Sequence, residues 1–331
     1  MVTYKQIFAR PETGAFLGLL FVWSFFAVFA HDGFLSFQGI KSYLQVSSEI
    51  GILAVGVALL MIAGEFDLSI GSLIGFSSMS IALLSTEMSM TMPLAALVTL
   101  ILTLFIGYCN GVVVVKSGLP SFIITLGSLF IVRGLTIAIS KIITGRTQIG
   151  GISESSGFNV MSTLFSSSIT ILNVDFPISI IWWFIFVAIG YFTLNNTQLG
   201  NWIFATGASE ESSLLMGIPV SKIKISLFMT TSFCAWFIAI IQVTTFGGAD
   251  VLRGEQKEFI AIIAAVIGGT LLTGGYGSII GVMIGALIFG MVKQGIIFAG
   301  VDADWFQVFM GVMLVSAVLV NGTFKKRYTD G

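Results

Sequence analysis

Long apolar blocks separated by short polar joints set the character of this chain. The blocks lie near residues 14–31, 48–64, 68–86, 93–115, 120–140, 176–194, 224–246, 258–273, 276–298 and 303–321. Each is near the ~20 residues that a helix needs to cross a bilayer. The pattern therefore predicts an all-α, polytopic membrane protein of about ten transmembrane helices. The second, third and eighth blocks are short or interrupted by glycine, which permits broken helices where a cavity is lined. An even number of spans puts both termini on one side.

One joint does not fit this economy. Asn195 to Lys224 reads NNTQLGNWIFATGASEESSLLMGIPVSKIK, whereas a simple turn between helices needs only about 2–8 residues. A short helix is predicted over Ser209–Met216, with Glu210 and Glu211 in its first turn and Gly217 and Pro219 closing it. An ordered helix in a membrane loop points to a docking surface.

Composition narrows the class. The 331 residues are 56% hydrophobic and only 9% charged, with a mean hydropathy of +1.02. Soluble domains carry about 25% charged residues, so this chain belongs in lipid. A net charge of −1 argues against a nucleic-acid partner. The two cysteines, Cys109 and Cys234, sit in apolar blocks and read as buried hydrophobes, and the lone His31 cannot build a metal cluster. No cofactor or metal site is expected. The 38 glycines suit close helix packing. Lys5 and Arg10 ahead of the Gly14–Ala30 run read as a retained first span, with a cleaved signal peptide as the alternative.

Basic residues in the joints orient the chain. Lys5, Arg10, Lys116, Lys222, Lys224, Lys325, Lys326 and Arg327 fall on one side, against Lys41, Lys141, Arg146, Arg253 and Lys257 on the other. The first side is read as cytoplasmic, and it includes both termini and the 195–224 loop. The longest outer segment, Lys141 to Asp175, is rich in Ser and Gly with little helical pattern. It reads either as a receiving surface or as a solvated loop.

Two local stretches carry candidate chemistry. In Gly64–Ser72, Glu65 and Asp67 lie close to hydrocarbon, where carboxylates mark a pathway, a partner contact or a cap. Asp67 fits an N-cap of the third span as well as it fits a substrate contact, with Ser69 beside it. Gly277-Ser278-Ile279-Ile280-Gly281 echoes Gly71-Ser72-Leu73-Ile74-Gly75, a hint of internal duplication that close packing explains equally well. Further candidates for a translocation path are Asn110, Arg133, Gln242, Asp250 and Glu258. No phosphate loop, metalloprotease motif or nucleophile elbow occurs, so no catalytic residues are assigned and no ATPase site of its own.

Taken together, the chain resembles the permease subunits of bacterial ABC sugar importers, in the branch of the ribose, xylose, fructose and autoinducer-2 permeases. Five motifs carry the likeness in order: Phe66–Ser72, with Glu65 where the family usually has Gly; Ser121–Leu126; Leu199–Gly207; Gly217–Lys224; and Ile263–Thr270, with Glu258 upstream. The resemblance implies one transmembrane permease domain over 1–331 in the bacterial inner membrane. It implies a separate ATPase subunit, a periplasmic sugar-binding protein and a second permease copy as partners. It also makes the helix between spans six and seven the coupling element: Gly207, Ser209, Glu210, Glu211, Leu214, Leu215 and Gly217 here. Where the family has Asn-Glu-Ala-Ala, this chain has Ser209-Glu210-Glu211-Ser212. An ion-gradient-driven transporter using Glu65 and Asp67 is the alternative reading.

Overall fold

A computed structural model describes residues 11–329. Lys5 and Arg10, counted above toward orientation, lie outside them. The described chain is helical almost throughout: α1 Pro11–Phe29, α2 His31–Phe34, α3 Phe37–Ile62, α4 Ile70–Thr86, α5 Met92–Ser117, α6 Ser121–Thr144, α7 Phe158–Phe165, α8 Ser179–Asn196, α9 Gln198–Ala208, α10 Glu210–Leu215, α11 Val220–Phe246, α12 Lys257–Ile267, α13 Ile279–Phe298 and α14 Phe306–Thr329. Two antiparallel ladders accompany them: β1 (Gln148–Ile149) with β4 (Ala249–Asp250), and the hairpin β2 (Ser168–Ile171) with β3 (Val174–Pro177).

Every expected span contains a helix, but among the described residues seven are long and apolar enough to cross a membrane: α1, α3, α5, α6, α8, α11 and α13. α4 and the described apolar part of α14 are shorter, and α12 has only 11 residues. At about 1.5 Å per residue α12 spans half a bilayer, as its glycine-flanked sequence suggested. The second span departs from expectation. It is no short piece but an unbroken helix of 26 residues beginning at Phe37. Its first half escaped the hydropathy pattern because it is polar, and hydroxyls there fold back on their own helix, as Ser47 Oγ does on the Tyr43 carbonyl at 2.7 Å.

Local signals explain the boundaries. Pro93 lies in the first turn of α5, and Gly118 and Gly145 end α5 and α6 in the left-handed conformation. Ser36, Thr197, Ser209 and Ser278 each accept a backbone N–H at the start of a helix. The segment 141–175 is more ordered than its composition suggested, holding α7 and the β2–β3 hairpin. Eight residues of helix are too few to leave a readable period.

α3, α4, α11, α12 and α13 form the buried centre, where Ile52, Leu60, Ile70, Phe228, Ile240, Ala264 and Phe289 lose nearly all exposure. α1, α5, α6 and α8 surround it and turn Phe21, Phe105, Phe130, Ile142 and Ile189 outward. Outward apolar side chains along such helices are what lipid contact requires.

Candidate functional site

α9 and α10 sit where the 195–219 loop meets the ends of α3 and α11, here called the loop side. Glycine makes that meeting close. A Cβ on Gly207 would collide with the Ile62 carbonyl oxygen and come within 2.6 Å of the Gly275 amide nitrogen. The Gly275 N–H in turn donates to the Ile62 carbonyl at 2.8 Å. Gly64 and Gly274 have φ of +89° and +76°, conformations that favour glycine, and a Cβ on Gly274 would reach Gly64 and Gly207. Three segments distant in sequence thus touch backbone to backbone.

Charge adds a second tie. Lys224 Nζ lies 2.6 Å from Glu65 Oε1 and 2.7 Å from Glu210 Oε2, and both Glu65 and Lys224 are largely buried. One ammonium therefore joins α10, the start of α11 and the α3–α4 connection. Of the two acids in the first turn of α10, Glu210 is the one that turns to Lys224. Ser209 caps α10, accepting from the Ser212 N–H at 3.2 Å. Leu214, Leu215 and Met216 are 55%, 84% and 68% exposed, an apolar ridge with no cover. Gly217, at φ +76° with open space around it, closes the turn.

A step deeper lies Asp67, only 1% exposed. Its Oδ1 accepts from the Ser69 N–H (2.9 Å) and Ser69 Oγ (2.6 Å), and its Oδ2 accepts from Thr231 Oγ1 (2.6 Å). Asn110 Nδ2 donates to Ser69 Oγ at 3.0 Å. Asp67 is therefore not the N-cap of α4. That position belongs to Ser69, and Asp67 closes a turn ahead of it while binding α11 across the core. Asp67, Ser69 and Asn110 come together as one network. Thr231, its fourth member, carried no signal in the sequence.

The other path candidates gather toward the opposite side. Gln242 Nε2 donates to Glu49 Oε2 at 2.8 Å, and Lys257 Nζ stands 3.8 Å from the same oxygen. Arg253 Nη1 donates to the Gln242 and Gly248 carbonyls at 3.3 and 2.6 Å, knitting the α11–α12 connection onto α11. Asp250 is held by Gln148 Nε2 across the β1–β4 pair. Arg133 reaches Glu255 at 3.6 Å. Glu258 is 3% exposed, lies against Gly71, and leaves its Oε2 without a hydrogen-bond partner. The two Gly-Ser-x-Ile-Gly turns are used differently: Ser278 caps α13, whereas Ser72 lies inside α4 and bonds the Ser69 carbonyl. Among the described residues no group of three or more His, Cys, Asp or Glu is placed to hold a metal ion.

This architecture has relatives. Residues 39–318, from α3 into α14, match the family described as branched-chain amino acid transport system / permease component. The chain belongs to this permease family. It is 33% identical over 291 residues to the ribose import permease protein of Escherichia coli K12, covering 87% of each chain. The ribose import permease protein of Haemophilus influenzae is 28% identical over 312 residues, covering 94% of this chain and 93% of that one. The xylose transport system permease protein of E. coli K12 is 27% identical over 371 residues, covering 97% and 93%. No solved structure matches the chain significantly. The resemblance drawn from the five motifs is thereby confirmed at the level of the family. Glu49 and Lys257 are ordinary flanking charges along the chain, and only the fold brings them together beside Gln242.

Proposed function

We propose that this permease is the membrane-spanning subunit of an importer for a monosaccharide-class solute, powered by a separate ATPase and fed by a solute-binding protein. The uncovered ridge Leu214–Met216 carries the reading, because it crowns α10, which Lys224 ties to the bundle directly after the glycine contacts at the end of α9. Such a ridge suits an apolar groove on an ATPase. Displacing it would pull on Glu65 through Lys224, and thereby on the connection that carries Asp67. On this reading the loop side and both termini are cytoplasmic, and two permease copies work together in the bacterial inner membrane. ATP hydrolysis belongs to the partner, and this chain supplies the path. Sugar is preferred over amino acid as cargo because the relatives that align along most of the chain are ribose and xylose permeases.

The test is purification of the tagged chain from its native membrane, with mass spectrometry of what accompanies it. An ATPase and a sugar-binding protein should be recovered, and Leu215→Ser should lose the ATPase while the chain remains inserted. Glu211→Lys is the companion variant. Glu210→Lys is a poor one, since it sets a second cation against Lys224. Recovery of neither partner, with gradient-driven uptake of ribose, xylose or leucine by the pure protein, overturns the proposal.

A further inference from the structure

A cavity of about 310 Å³ opens between α3, the start of α12 and α13, on the side away from the loop. Its walls carry Ser42, Gln45, Glu49, Lys257, Lys293 and Gln294. Glu49 and Lys293 lie inside α3 and α13, helices long and apolar enough to cross a membrane, and ionisable groups within such helices are expensive and by default mark function. The wall is held in place from behind. Glu49 Oε2 is fixed by Gln242, itself 5% exposed, and is approached by Lys257 at 3.8 Å. Lys293 has no carboxylate within ion-pair distance among the described residues, and its ammonium lies 5.8 Å from the Phe306 ring centroid. The side-chain amides of Gln45 and Gln294 make no hydrogen bond to the described protein.

We infer that this cavity is a solute site, and that its ligand is a neutral polyol the size of one monosaccharide. The inference rests on the transport reading above and assigns residues to it. Each sugar hydroxyl is both donor and acceptor. The wall offers both, with acceptors at Glu49 and the amide oxygens and donors at Lys257, Lys293 and the amide nitrogens. The volume lies at the small end of the roughly 300–1,000 Å³ of small-molecule sites, which suits one sugar ring better than a larger ligand. Here the second ammonium and two amides face open volume.

The experiment uses proteoliposomes holding the complete complex, with labelled ribose and xylose as probes and ATP hydrolysis measured in parallel. Gln45→Met with Gln294→Met, and separately Glu49→Gln, should lower uptake per ATP hydrolysed at least tenfold. They should also change the ribose-to-xylose ratio at least fivefold, while the loaded binding protein still stimulates hydrolysis. A merely structural role would not move that ratio. If a variant fails to assemble, Gln294→Cys on a Cys109→Ser background replaces it, and saturating sugar should slow its thiol labelling at least fivefold. Uptake and ratio within twofold of wild type, or labelling indifferent to sugar, overturns the site and leaves the permease reading standing. No uptake of either sugar by the wild-type complex overturns the reading itself. Co-purifying anionic lipid that Lys257→Met/Lys293→Met removes without affecting uptake would assign the cavity to a headgroup instead.

Discussion

The loop side and the opposite cavity both place a lysine against a glutamate, yet they are built to different ends. Lys224 is clasped between Glu65 and Glu210, and the backbones beside it touch through glycine. Lys257 reaches Glu49 only at 3.8 Å, with open volume beside it and a second lysine across the gap that makes no ion pair with a described carboxylate. Satisfied polar groups make a firm joint, whereas groups left facing space are available to something that is not protein. The same pair of residue types thus fastens one region and leaves the other open.

Breaking the clasp gives the largest effect. Lys224→Met strands the buried Glu65 carboxylate and should cost about 3–5 kcal/mol of stability. Thermal unfolding in detergent measures it, and adding Glu65→Gln should recover more than half of the loss. A single variant as stable as wild type would show that the clasp does not form. Next comes the backbone contact. Gly207→Leu must push the Ile62 carbonyl and Gly275 apart and should cost about 1–3 kcal/mol. Gly217→Ala, with open space but positive φ, should cost only about 1 kcal/mol. Equal losses from the two would deny the close approach at Gly207.

Asp67 tests the depth of the fastened region. Asp67→Ala leaves the Ser69 N–H and the Ser69 and Thr231 hydroxyls without their acceptor, and about 2–3 kcal/mol should be lost. Asp67→Asn keeps one acceptor oxygen for Ser69 and can donate to Thr231, so about 1 kcal/mol is expected. Loss of uptake at normal expression with Asn would give the carboxylate a role beyond holding α11. The smallest effect belongs to the open side. Arg133→Met breaks a 3.6 Å pair with a half-exposed partner and should cost under about 1 kcal/mol. A larger loss would mean that the outer charges fasten as firmly as the inner ones.

Much of this was legible along the chain. The apolar blocks located ten helical positions, and Ser209, Glu210 and Gly217 marked α10. What escaped were interactions between residues far apart. Thr231 lies 164 positions from its Asp67 partner, and Gln242 lies 193 from Glu49. Helix α9 also lies beyond the sequence pattern, because its start rests on one Thr197 hydroxyl within a polar stretch. The charge count treated Lys224 and Lys257 as loop markers, although the first is buried in a triad and the second lines a cavity. Five motifs in order placed the chain in its family. They did not say which of their residues touch one another.

The glycine meeting at Ile62, Gly64, Gly207 and Gly275 has a mechanical meaning. Side chains between moving parts act as cushions, since a displacement can be absorbed by a change of rotamer. This contact has no cushion, being main chain against main chain. It is a linkage without play: a shift of the loop helix by a fraction of an ångström has to appear at the ends of α3 and α13, or the contact must open.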